Sequence, residues 1–144
     1  AQTEIVADYL ERIENDDMSL MVVHLNDLTT DAFFSAPTKY ALRAQARQNL
    51  MFFVQAQAKR DLAVDTSYEI RQLNPLDGNS TSFRTVPVNI LNFENGTRIA
   101  AGEEFQGIIS TASTVNLRAP FGVKFGDITV QFRLSGEAVD RLEQ

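Results

Sequence analysis

The chain has 144 residues, no cysteine and a formal charge of −6. That length suits one domain able to bury a core without staples, and the missing cysteine excludes disulfides and thiolate metal sites. A net negative chain with no basic cluster argues against nucleic-acid binding, which relies on phosphate neutralisation, and no apolar run approaches the roughly 20 residues of a membrane helix.

In chain order, Thr3 to Glu14 carries Ile5, Tyr9 and Ile13 at i, i+4 spacing, with Val6 and Leu10 on the same stripe. That spacing predicts an amphipathic helix ended by Asn15-Asp16-Asp17. Met18 to Leu25 is a short apolar run and predicts a strand. Asn26 to Pro37 predicts a loop or helical turn, in which Phe33 and Phe34 need burial. Between Tyr40 and Val64, Ala, Gln and Arg favour helix on propensity, whereas the alternation favours strand. The alternation predicts two strands with a break near Gln48-Asn49. In a strand, Phe52 and Phe53 point to opposite faces. One belongs to the core, and the other needs a cover from a second layer, the N-terminal helix or another subunit.

From Tyr68 the β signal strengthens. Tyr68 and Ile70 alternate with Glu69 and Arg71, and 74–79 is turn chemistry. Val86, Val88 and Ile90 predict a strand that Pro87 confines to an edge or a bulge. A hairpin-type turn follows at 94–97, then strands at Phe105 to Thr111, Val115 to Ala119, and Ile128 to Leu134. Gly122 and Gly126 punctuate the approach to the last, and Glu137 to Gln144 has room for a short helix.

The whole of 1–144 is expected to be one mainly β domain. Its parts are an acidic helical arm at 1–17, a β-rich body at 18–134, and a C-terminal tail or short helix at 135–144. Seven or eight short strands with frequent turns predict an antiparallel β-sandwich. The rhythm from Leu50 to Leu134 resembles an immunoglobulin-like or jelly-roll-like sandwich in architecture, and carries no functional residues with it.

Catalytic signals are sparse. His24 is the only histidine, so a His-rich metal site is excluded, and no serine elbow or Gly-rich phosphate loop exists. Glu103 and Glu104 are adjacent, hence on opposite faces of a strand, which does not suit paired acid–base work. An enzyme would have to assemble His24, Asp27, Glu103 and Glu104 from distant places. Asp77 to Thr81 lacks the ladder of acids that a calcium loop needs. Asn79-Ser80-Thr81 and Asn95-Gly96-Thr97 match the glycosylation sequon inside turn sequences. Ten phenylalanines with no tryptophan point to core packing rather than sugar platforms. No catalytic residue, metal or cofactor is expected.

Charge is unevenly spread. Residues 1–35 hold eight acids against Arg12 alone, and 38–72 hold six bases against three acids. Such a split attracts either the arm to its own body or one copy to the next. The expected function is therefore a non-catalytic structural or assembly protein, such as a virion coat, decoration or filament subunit that forms homo-oligomers. Virion, extracellular or periplasmic settings are favoured over the cytoplasm. The candidate subunit surface is Ile5, Tyr9, Ile13, Arg43, Arg47 and Phe53. The alternative is a secreted or periplasmic module that binds a small ligand or glycan in a concave patch of convergent polar side chains.

Overall fold

The computed structural model describes residues 6–63, 68–73, 80–84, 86–91, 98–111, 115–125 and 128–142. Within them the chain is mainly β and every strand pairing is antiparallel. Strands β1 (Leu10–Glu14), β2 (Met18–His24) and β3 (Leu50–Ala58) form a meander. Helices α1 (Asp27–Phe33) and α2 (Thr38–Ala46) lie between β2 and β3. Then come β4 (Leu62–Ala63), β5 (Tyr68–Leu73), β6 (Ser80–Arg84), β7 (Val86–Leu91), β8 (Arg98–Ile99) and β9 (Glu104–Thr111). The hairpin β10 (Phe121–Phe125) and β11 (Ile128–Phe132) follows, and α3 (Gly136–Leu142) ends the described chain.

Five strands form one sheet in the order β1-β2-β3-β9-β7, and four form another in the order β11-β10-β5-β6. A two-stranded piece, β4-β8, stands beside them. One apolar cluster joins the sheets: Leu20, Val22, Phe52, Val54, Phe105 and Ile109 from the first meet Ile70, Phe121, Val123, Val130 and Phe132 from the second. The opposite face of the first sheet carries a second cluster under α1 and α2. Phe53 lies there, with Phe33 and Phe34 ring centroids 6.1 and 5.1 Å away. Both phenylalanine pairs are thus resolved inside one chain. Phe52 faces the second sheet, and Phe33 at the end of α1 with Phe34 just after it covers Phe53.

Three expected secondary-structure elements are overturned. The N-terminal helix does not run to Glu14: among the described residues of the segment Val6 and Ala7 are helical, and Leu10–Glu14 is β1. The cause is Asn15, whose Oδ1 accepts hydrogen bonds from the amides of Asp17 and Met18 at 2.8 and 2.9 Å. That Asx turn closes a hairpin, so Asn15-Asp16-Asp17 reverses a strand instead of ending a helix. Ile5 and the other residues of 1–5 lie outside the described residues.

The strand expected across Tyr40 to Arg47 is α2, which stops at Ala46. Its alternation was weak because Ala41, Ala44 and Ala46 occupy both parities, while Ala, Leu, Lys and Arg are strong helix formers. The break near Gln48-Asn49 is real, but it separates a helix from β3. Val115 to Ala119 is not a strand either. The side-chain amide of Gln72 donates to the Asn116 carbonyl at 2.6 Å and accepts from the Asn116 amide at 2.9 Å. Asn116 Oδ1 in turn accepts from the Arg118 amide. The backbone is satisfied by side chains where a ladder partner was expected.

Other expectations hold. β7 is an edge strand with a register shift between Pro87 and Asn89, as a proline without an N–H requires. Met18–His24, Glu104–Thr111 and Ile128–Phe132 are strands, and Gly136–Leu142 is a helix. Gly122 does not punctuate: it sits inside β10, where a Cβ would meet Thr129 Cγ2 at 3.0 Å. The turns expected at 74–79 and 94–97, with Asn79 and Asn95, lie outside the described residues. Among the described residues no helix is long and apolar enough to cross a membrane.

Candidate functional site: a cavity beside His24

The sequence Asn26-Asp27-Leu28-Thr29 makes a capping box. Asn26 Oδ1 accepts from the amides of Leu28 and Thr29, and Thr29 Oγ1 accepts from the Asn26 amide. Because Oδ1 is committed to the helix, the Asn26 side-chain NH2 points the other way. It donates to His24 Nδ1 at 3.1 Å. Nδ1 is therefore the acceptor, and in a neutral ring the proton sits on Nε2. His24 is buried between the Tyr9 and Phe52 rings, with centroids 6.3 and 5.7 Å away. Burial without a counter-charge pushes its pKa down to about 4, so the ring is neutral near pH 7.

His24 lines a cavity of about 850 Å³, a volume in the range of small-molecule sites. Four separate segments build it. The β2–α1 junction supplies His24 and Asn26, the α2–β3 turn Arg47 and Asn49, the 115–117 segment Leu117, and the end of α3 Arg141. Two anchors hold α3 there. Tyr9 Oη donates to the Ala138 carbonyl at 2.7 Å, and Arg141 Nη1 reaches Asp8 at 3.2 Å. Burial raises the Tyr9 pKa, and the Arg141 hydrogen bond only partly offsets this.

Four acids of the segment 1–35 pair with bases of 38–72 within one chain. Glu14 meets Lys59 at 2.7 Å and Asp17 meets Arg60 at 2.6 Å. Asp27 meets Arg47 at 3.0 Å, and Asp31 meets Lys39 at 2.9 Å. Arg43 sits between Asp27 and Asp31, at 4.0 and 3.8 Å. Lys59 holds the Glu14 carboxyl below its ordinary pKa, and Lys39 does the same for Asp31. These pairs are largely exposed, so they orient the arm and the helices more than they stabilise the fold.

The candidate interface residues are accordingly dispersed. Tyr9 is fully buried and Phe53 nearly so, both covered by their own chain. Ile13 packs partly against the shared core. Arg43 and Arg47 lie on or next to α2, engaged with α1 acids. The acid–base candidates do not converge as a set. His24 and Asp27 line the cavity, but Glu104 pairs with Gln57 at the far end of β3. His24 pairs with Phe52, so the two places are roughly 17 Å apart along the strand. Among the described residues no three His, Asp or Glu side chains group as metal ligands.

The site residues that sequence reasoning missed are Asn26, Arg47 as a cavity wall, Leu117 and Arg141. The Asn-x-x-Thr box that begins two residues after the lone histidine was a readable local signal. The convergence of four segments was not. No family model matches this chain, and neither a curated protein nor a solved structure matches it.

Proposed function

We propose that this chain is a non-catalytic binding domain that takes up a small ligand in the cavity beside His24. The observation that carries the proposal is the cavity itself, with a buried polar ring in its wall and polar side chains from separate segments around it. An immunoglobulin-like sandwich is the architecture we infer for it. The order β2-β3-β9-β7 against β11-β10-β5-β6 corresponds to strands A-B-E-D and G-F-C-C′ of that class, with β1 added at the edge. A fold of this kind hosts many functions, so the argument for binding rests on the site.

Ligand-observed NMR with a small-molecule library tests the reading. We expect binders to the native chain that Ala46→Phe, which places a ring on the cavity wall, weakens at least about tenfold, or about 1.4 kcal/mol. A library without binders, or binders indifferent to Ala46→Phe in a folded variant, would sink it.

Self-association as a coat or filament subunit is the second reading. Its electrostatic motive is weakened where Glu14 and Asp17 of the arm already pair with Lys59 and Arg60 of their own body. What favours it is the run from β6 into β7, where each strand has one ladder neighbour among the described residues, an arrangement that can template pairing with another chain. Sedimentation at low and high salt decides it: a monomer throughout the accessible concentration range dismisses the reading.

A further inference from the structure

We propose that the ligand of this cavity is a small amphipathic carboxylate, its apolar body against the leucines and its head toward Arg47 and the His24 Nε2–H. The inference rests on the binding reading above and adds the chemical class. Leu28, Leu50, Leu117 and Leu142 are only partly buried, pack against the shared core, and line the cavity together. They supply an apolar wall that solvent reaches.

The polar part of the lining is rich in donors. His24, Arg47, Gln48, Asn49 and Arg141 carry N–H groups, and Asp27 is the one carboxylate among the lining residues. Asp27 is already engaged by Arg47 Nη2 at 3.0 Å. A guanidinium has five N–H donors, so Arg47 keeps donors for a second acceptor. His24 is fixed by Asn26 as an Nε2–H donor, which suits an acceptor and repels an ammonium. Arg141 is held by Asp8 and Glu137 at 3.2 and 3.7 Å, so the charged donor left for a head group is the largely exposed Arg47, beside the neutral donors of His24, Gln48 and Asn49, and this donor-rich lining favours an anionic head over a neutral one. An acceptor bonded to a charged donor gains more than one bonded to a neutral donor.

The test compares three probes with one body and different heads: octanoate, octan-1-ol and octylamine. The chain has no tryptophan, so Gln48→Trp, at an exposed position on the rim, installs a fluorescence reporter in an otherwise intact protein. We expect octanoate to bind about tenfold more tightly than octan-1-ol, and octylamine least tightly. Calorimetry on the native chain repeats the order without the reporter. Arg47→Gln, at a largely exposed side chain, should bring octanoate down to the level of the alcohol and leave the alcohol unchanged.

Equal affinity for octanoate and octan-1-ol overturns the carboxylate assignment and leaves the binding reading standing. Tight octanoate binding that ignores Arg47→Gln overturns the placement of the head. Failure of all three probes, together with a library that yields no binder, overturns both the class and the binding reading.

Discussion

Replacing Phe52 with alanine should destabilise the protein by about 4 kcal/mol, within the range of about 3–5 kcal/mol for a buried phenylalanine. Phe52 is fully buried. Its ring lies 6.0 and 5.5 Å from Phe121 and Phe132, which stack on each other at 5.3 Å in the second sheet. The His24 ring, on the neighbouring strand, meets it edge-on at 5.7 Å. Removing the ring loses transfer free energy and leaves a void between two sheets whose backbones are held by their own ladders. The void cannot close cheaply, which puts the cost toward the upper part of the range. Against a total stability of about 5–15 kcal/mol for a domain, this is a large fraction. With a urea slope of about 2 kcal/mol/M, the unfolding midpoint should fall by about 2 M. Phe52→Leu keeps most of the volume and should cost much less. A shift below about 1 kcal/mol for Phe52→Ala would mean that the sheets do not depend on this contact.

The same residues explain what could be read from the sequence. β3 and β11 were legible because each buries alternate residues against the sheet that faces it, and burial writes a period of two into the chain, while β2 was legible as a short apolar run. The edge position of β7 was legible through Pro87 alone. Where side-chain hydrogen bonds decided the backbone, reading failed. Asn15 turned an apparent helix terminator into a hairpin, and Gln72 satisfied Asn116 in place of a ladder. Where alanine filled both parities, propensity won and α2 formed. β10 was hidden because Gly122 looks like punctuation, although its real cause is a close approach to Thr129.

The cavity was less legible than the fold for a different reason. Periodicity reports which residues are buried, whereas a cavity is a place that packing leaves unfilled. It depends on where the α2–β3 turn, the 115–117 segment and α3 stop. The sequence did carry the charges that hold those stops in place. Asp27 with Arg47 ties α1 to the turn, and Asp8 with Arg141 ties the N-terminal turn to α3. Of the acidic segment, Asp27 and Asp8 thus act as braces beside the cavity, through Arg47 and Arg141.

Acid should destabilise this protein well above the carboxylate range, and His24 should be the cause. Its folded pKa is about 4, against an ordinary value of 6.5. Between those values the unfolded chain binds a proton that the folded chain refuses. Stability is then highest above pH 6.5 and declines as pH falls toward 4. The limiting slope is about 1.4 kcal/mol per pH unit, so the span of about 2.5 units amounts to about 3 kcal/mol. His24 is the only histidine, and no other type of side chain has its ordinary pKa between about 5 and 6.5, which makes the assignment clean. Below that window Glu14 and Asp31, whose pKa values are lowered by Lys59 and Lys39, lose pairing as they protonate and add to the decline in the same direction. Urea titrations at pH 7.5, 5.5 and 4.5 measure the slope, and NMR of the single imidazole measures the folded pKa directly. His24→Gln keeps a side-chain acceptor for the Asn26 NH2 group and removes the proton site, so its stability should be nearly flat from pH 7.5 to 5. A native chain equally flat over that range would show that the ring is solvated, and the cavity wall would then lack the buried donor on which its chemistry rests.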